Sequence, residues 1–319
     1  MKTISASDIA RLATHRDFVE ALRTGFAADI VSPLRHHHDL PRAGTESCKF
    51  LMMPSWTDMS VRGPERAFVG LKTVMVVPDN ARRDLPTVQA GYQLFSGATG
   101  ETLALIDGRE LTARRTACAS ALAADYLARP DASRLTLIGA GVVGAHLVHA
   151  HASVRPIETV RIYNRSRDKA EALAEALGRD GIAASAPAIP LAESIGWADI
   201  VSSATTSTEP VIRGEWLKAG IHVDVMGAFR PTMREVDGAA VERASVFVDT
   251  REGALSEAGD IMLAIAEGRF APERIVADLK ELCTGRHRGR TRDDEITLFK
   301  SSGTALEDLA CAIMLHDRA

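Results

Sequence analysis

The residues best suited to chemistry begin with six in a row. Gly139-Ala140-Gly141-Val142-Val143-Gly144 follows the apolar run Leu135 to Ile138 and opens a segment of helical spacing. In such a strand–loop–helix the first glycine permits a tight turn and the second lets backbone approach a pyrophosphate. The third lets helix and strand pack closely. Backbone N–H groups at the helix start then face the phosphates. The glycines alone are a weak signal. With a strand before them, a helix after them and another strand at Val160 to Tyr163, they predict a dinucleotide site. The structural alternative is a glycine turn that binds nothing.

The end of that next strand selects the cofactor. An acidic residue there would hydrogen-bond a ribose 2′-hydroxyl, but this chain has Asn164, followed by Arg165, Ser166 and Arg167. Asparagine removes the carboxylate that would repel a 2′-phosphate, and Arg165 can form a forked ion pair with one. The expectation is NADPH. NADH is the alternative if the arginines only begin a solvated helix. Thr205, after the run Ile200-Val201-Ser202, and Val225, Met226 and Gly227, after another, lie where strand-end crevices receive ligands.

A small anionic substrate calls for a cationic clamp and a proton donor. Lys72 sits in the apolar context Val69-Gly70-Leu71-Lys72-Thr73-Val74. It either faces the site, with its ammonium pKa lowered by burial, or is an edge lysine pointing to water. Arg115, beside Thr116, either clamps a carboxylate bidentately or is a surface arginine near a helix start. Arg35 and Thr87 are weaker candidates on pattern alone. Adjacent side chains in His36-His37-His38 do not converge as ligands, so no metal site is expected. The basic run Arg286 to Arg292, interrupted by Gly289, reads as a solvated loop.

These groups need elements to hold them. Ser5 to Asp8 reads as a helix cap, and Phe18, Leu22 and Phe26 give helical spacing over His15 to Ala28. Pro33 to Trp56 reads as turn-rich. Val69 to Val77 reads as a strand carrying Lys72, with turns at Asp79-Asn80 and Arg83-Asp84. Gln89 to Phe95 and Thr102 to Ile106 suggest an antiparallel pair. Thr112 to Ala128 is an alanine-rich helical connector. From Arg134 the chain alternates strand and helix, the pattern of a mostly parallel sheet covered by helices.

At 319 residues the chain has room for two cores, and 46% hydrophobic with 25% charged residues is ordinary globular composition. A net charge of -4 lacks the basic surplus of nucleic-acid proteins, so no nucleic-acid partner is expected. No run approaches the roughly 20 apolar residues needed to cross a bilayer, nor does the N-terminus read as a signal peptide. Cys48, Cys118, Cys283 and Cys311 stand far apart, as reduced thiols of a cytoplasmic protein would.

Several separated pieces occur together in order: Leu51-Met52-Met53-Pro54, Gly70-Leu71-Lys72, Pro78-Asp79-Asn80, Leu111 to Ala117, the glycine loop, Asn164-Arg165-Ser166, Glu257-Ala258-Gly259-Asp260 and Thr297 to Gly303. In these the chain resembles the ornithine cyclodeaminase/mu-crystallin family over essentially its full length. The resemblance implies an α/β protein: a Rossmann-type parallel-sheet domain, 119–299, inserted into a discontinuous α+β substrate-binding and dimerisation domain, 1–118 plus 300–319. It implies a homodimer, and it puts Arg35, Lys72 and Arg115 around a substrate carboxylate with Thr87 nearby. Lys72 would lie closest to the reacting nitrogen, and Ser302 would join the cofactor-binding residues.

Within the family, cyclodeaminases and alanine dehydrogenases carry an aspartate two residues before a proline, after the last cofactor strand. Here that position is Phe229, in Met226-Gly227-Ala228-Phe229-Arg230-Pro231. Phenylalanine neither accepts from an ammonium nor acts as a base. The chain therefore looks like the ketimine-reductase branch, whose cyclic imino acids (Δ1-pyrroline-2-carboxylate or Δ1-piperideine-2-carboxylate) become L-proline or L-pipecolate. Ornithine cyclodeamination and non-catalytic binding of the mu-crystallin type are the alternatives. Retention of Arg35, Lys72 and Arg115 together speaks against a pure binder.

Overall fold

The computed structural model describes residues 1–83 and 85–319, apart from the side chains of Arg62 and Ala81. Of the turn expected at Arg83-Asp84, the second residue lies outside the described residues. The chain divides into two compact units, Met1–Arg115 with Thr304–Ala319, and Thr116–Gly303. These divisions differ from the expected 118/119 and 299/300 for two reasons. The connector is one helix, Gly108–Leu127, that crosses the first boundary unbroken. The 299/300 division cuts the strand Thr297–Lys300, which lies whole in the second unit's sheet, and that unit continues to Gly303.

In the first unit, Lys2–Ile4, Thr102–Asp107, Val88–Ser96, Phe68–Val76, Cys48–Thr57 and Ile30–Val31 lie side by side, with His36–Leu40 also paired to Cys48–Thr57. Lys2–Ile4 runs parallel to its neighbour and the other pairs are antiparallel. Alternation along Phe68–Val76 buries Gly70, Lys72 and Val74. The helix Ala305–Arg318 packs on Phe68–Val76 and Cys48–Thr57, and the helix His15–Ala27 packs on it in turn. Phe18, Leu22 and Phe26 of one helix and Leu309 and Leu315 of the other are buried, each contributing ~1.5–3 kcal/mol. The helices touch at Gly25, where a Cβ would stand 2.4 Å from Ala310 Cβ.

The stretch Pro33 to Trp56 is thus not mainly turns. His36–Leu40 is exposed at every residue, so it offers no alternation to read. Pro54 disguises the next strand. It falls between the segment paired to His36–Leu40 (48–52) and the segment paired to Ile30–Val31 (56–57), where a missing N–H breaks no ladder bond on that side.

In the second unit the described residues form an eight-stranded parallel sheet, ordered Ala184–Ser185, Thr159–Tyr163, Arg134–Ile138, Ile200–Ser203, His222–Val225, Thr297–Lys300, Ser245–Val248, Ile275–Asp278. The chain steps outward from Arg134–Ile138, then returns to Ile200–Ser203 on its other side. That reversal makes a crevice beyond the strand ends. Helices cover the sheet, so its strands are continuous apolar runs: Val201, Val223, Val225, Val246 and Leu298 are all fully buried. The basic run Arg286 to Arg292 is not simply solvated, because Arg290 donates to Leu127 O, Glu295 O and Thr297 Oγ1. No helix of the described residues is long and apolar enough to cross a membrane.

Candidate active site

The second unit gathers the expected cofactor residues at the C-terminal ends of its strands. Gly139 has φ 107°, a left-handed conformation, and a Cβ there would stand 2.6 Å from Ala204 O. A Cβ on Gly144 would stand 2.3 Å from Gly139 O, so helix and loop pack as closely as the pattern predicted. Gly141 differs, because a Cβ there would meet nothing within 4 Å. The helix Val142–Ala152 begins at Gly141 with no side-chain cap, and Val142 in its first turn is 66% exposed; Val143 follows it. An open approach to an uncapped helix start fits a pyrophosphate.

Asn164 accepts from Ala140 N at 3.1 Å and donates to Ser166 O at 2.9 Å, tying the glycine loop to the next turn. Arg165 is exposed on that turn, and Ser166 precedes the helix Arg167–Arg179 without a side-chain cap. Thr205 follows Ile200–Ser203. The Val225 side chain belongs to the core, so only its backbone reaches the strand end. Met226 N donates to Ser203 O at 3.1 Å. Ser302 N donates to Asp249 Oδ2 at 2.7 Å, as does Gly303 N at 2.6 Å. Asp249, at the end of Ser245–Val248, therefore shapes the turn that carries Ser302.

The first unit holds a buried charge cluster. Lys72 is 1% exposed, opposite Met53 and Tyr92 in the ladder, and its Nζ lies 2.6 Å from Asp308 Oδ2. Arg115 Nε donates to Asp308 Oδ1 at 3.0 Å, and Arg115 Nη1 pairs with Glu307. Burial lowers the Lys72 ammonium to about 8; the Arg115 charge adds to this and Asp308 opposes it. For Arg115 burial also works against the charge, but Asp308 and Glu307 outweigh it and raise the pKa. Tyr92 is pushed well above 10, by burial first and by Asp308 next, so it stays neutral. Its hydroxyl occupies the space a Cβ on Gly70 would need, 1.8 Å away, which explains the glycine two residues before Lys72.

The structure thus brings Lys72 and Arg115 together through Asp308. Arg35 is close enough for its charge to help lower the Lys72 pKa. Thr87 is half-buried at the start of Val88–Ser96, its carbonyl accepting from Val77 N at 2.8 Å. Sequence reasoning missed Glu307 and Asp308, both fully buried in the first turn of Ala305–Arg318. Two adjacent acids inside the apolar run Ala305 to Ala312 were the available signal, since such residues are rarely buried unless paired. It also missed Glu235, described below.

Fold and sites together define a class: a Rossmann-type unit with a phosphate-fitting glycine loop, inserted into an α+β unit with a buried lysine–arginine–carboxylate cluster. The chain belongs to the ornithine cyclodeaminase/mu-crystallin family, whose model matches residues 8–319. It is 42% identical over 312 residues to Delta(1)-pyrroline-2-carboxylate reductase of Paracoccus denitrificans, covering 97% of this chain and 94% of that protein. Among solved structures, Thermococcus litoralis Delta(1)-pyrroline-2-carboxylate reductase in complex with NADH and L-proline superposes with TM-score 0.90 at 33% identity, covering 100% of this chain and 97% of that one. An archaeal alanine dehydrogenase dimer with bound NAD gives TM-score 0.89 at 28% identity, covering 100% and 96%.

Proposed function

We propose that this chain is an NAD(P)H-dependent reductase of cyclic imino acids, turning Δ1-pyrroline-2-carboxylate into L-proline, with Δ1-piperideine-2-carboxylate as the alternative ring size. The observation that carries the reading is the buried cluster of Lys72, Arg115 and Asp308, in a chain that also has a glycine loop fit for a dinucleotide. Similarity to the Paracoccus and Thermococcus reductases supports it.

The nicotinamide, when bound, supplies the hydride that makes the new C–H bond at the imine carbon. The protein's own groups do the rest. Arg115 and Arg35 hold the ring carboxylate, with Thr87 beside them. Lys72 keeps a proton at Nζ for the imine nitrogen, which takes it as the C=N π electrons become a lone pair. At about 8 its ammonium is a stronger acid than an ordinary lysine, suiting it to this transfer near neutral pH. Asp308 fixes both cations so that neither must be reorganised during the step. Phe229 offers no carboxylate for a substrate amine, and a substrate already at the imine level needs none.

The cofactor is NADPH in preference to NADH, because Asn164 carries no charge to repel a 2′-phosphate and Arg165 stands exposed on the same turn. The first unit serves substrate binding and dimerisation, and the enzyme is a homodimer, as in the alanine dehydrogenase neighbour. It works in the cytoplasm, where cysteines as widely separated in sequence as Cys48, Cys118, Cys283 and Cys311 stay reduced. The test follows 340 nm absorbance with each cofactor and each cyclic imine, beside ornithine with NAD⁺. Rapid loss with NADPH and the five-membered imine is expected. Proline and ammonia from ornithine, with no imine reduction, would sink the reading.

A further inference from the structure

Glu235 is fully buried and collects donors from two strand ends. Its Oε1 accepts from Ser203 Oγ at 2.7 Å, Thr205 N at 2.7 Å and Thr205 Oγ1 at 3.0 Å. Its Oε2 accepts from Gly227 N at 2.5 Å and Ala228 N at 3.3 Å. The first group lies at the end of Ile200–Ser203, the second just beyond His222–Val225. These loops touch, since a Cβ on Gly227 would stand 1.8 Å from Thr205 O. Glu235 is itself anchored. Its N and that of Val236 donate to Asp260 Oδ1 at 2.6 and 3.0 Å, and Asp260 Oδ2 lies 2.8 Å from the buried Lys300 Nζ.

Glu235 satisfies backbone N–H groups of Thr205, Gly227 and Ala228 that an apolar side chain would orphan, so one carboxylate serves both loops at once. What the converging donors provide is a fixed spacing between two loops. The sheet's direction says which part of a cofactor those loops border. With the pyrophosphate at the glycine loop and the 2′-position toward Asn164, the nicotinamide half extends the other way, over Ile200–Ser203 and His222–Val225.

We infer that Glu235 is a positioning residue for the nicotinamide end of the cofactor, its ionised carboxylate fixing the two loops that border the reactive ring. This rests on the cofactor reading above. The charges that face it are Lys300, at the end of Thr297–Lys300, which favours ionisation, and Asp260, in the helix Gly259–Ala266, which opposes it. Arg234, next in sequence, is turned to Val236 O and to Glu267. Burial first, against Lys300, raises the Glu235 carboxyl from 4.5 to about 7. Because the folded pKa is raised, this group favours the fold below 4.5 and loses that contribution as pH rises toward about 7. Cofactor binding, which draws on the ionised form, strengthens over the upper part of that range.

Reduced-cofactor fluorescence reads affinity without turnover, and NADH is the probe because the 2′-phosphate of NADPH titrates nearby. For the unaltered enzyme Kd should fall as pH rises toward ~7, by up to about tenfold per unit, then level off. Glu235→Gln turns an NH2 toward donors. It should raise the NADH Kd by about tenfold or more and flatten the profile, with the imine KM unchanged within about twofold. Ser203→Ala keeps the carboxylate and removes one donor, so the midpoint should move up by ~1 pH unit. This variant keeps the test decisive should Glu235→Gln not fold. A pH-independent Kd in the unaltered enzyme, an unmoved midpoint in Ser203→Ala, or an unchanged Kd in folded Glu235→Gln would overturn the inference. Tight, pH-dependent NADH binding without imine turnover would spare it and defeat the substrate reading instead.

Discussion

Lys72 carries two consequences of burial that run in opposite directions. With its ammonium lowered from 10.5 to about 8, the proton is easier to give, so kcat/KM should hold below pH ~8 and fall about tenfold per unit above it. Lys72→Arg keeps a charge that does not titrate there. The variant should lose the alkaline limb and turn over ~100-fold more slowly or worse. Comparing its pH–rate profile with that of the unaltered enzyme separates Lys72 from titration of the imine; an alkaline limb that persists in the variant would rule Lys72 out as the donor. The stability sign is the reverse. A depressed lysine pKa means that the charged form costs stability below about 8, and the cost is relieved as pH rises toward 10.5. In sequence Lys72 could be read as buried or as an edge residue, and no local pattern separates these. Asp308, its partner, is 236 positions away along the chain (308 less 72), and it looks like an ordinary acid in a helix's first turn.

At the scale of elements, the glycine loop distinguishes packing from binding. Gly144→Ala puts a methyl against backbone at 2.3 Å, an overpacking that should cost ~1–3 kcal/mol and lower Tm by several degrees. Gly141→Ala has open space and φ -87°. It should leave Tm nearly unchanged while raising the cofactor Kd by about tenfold or more, because the methyl stands where the pyrophosphate must approach. Calorimetry and cofactor titration on the two variants test this contrast; equal Tm losses with equal affinity would remove the loop from the site. The loop was legible because strand, glycines and helix follow one another directly. So were Phe68–Val76 and most of the parallel strands, through apolar runs, whereas Ala184–Ser185 is too short to show one and Ile275–Asp278 is broken by the exposed Val276. His36–Leu40 was not, since all five residues are exposed, and Pro54 hid the strand beside it.

Across the whole molecule, what was legible was order: a first section with antiparallel strands, then a section alternating strand and helix around a parallel sheet. The boundaries were not, because Gly108–Leu127 runs through one of them without changing character and Thr297–Lys300 returns to a sheet begun 163 positions earlier at Arg134 (297 less 134). In the proposed reaction the hydride passes directly from the nicotinamide to the imine carbon, without exchange into water. Reduction of Δ1-pyrroline-2-carboxylate with NADPH deuterated stereospecifically at nicotinamide C4 therefore tests the central claim most directly. The account predicts proline carrying a single deuterium at C2, from one of the two C4-labelled forms and not the other. Unlabelled proline from both forms, or no proline from the imine at all, would contradict it.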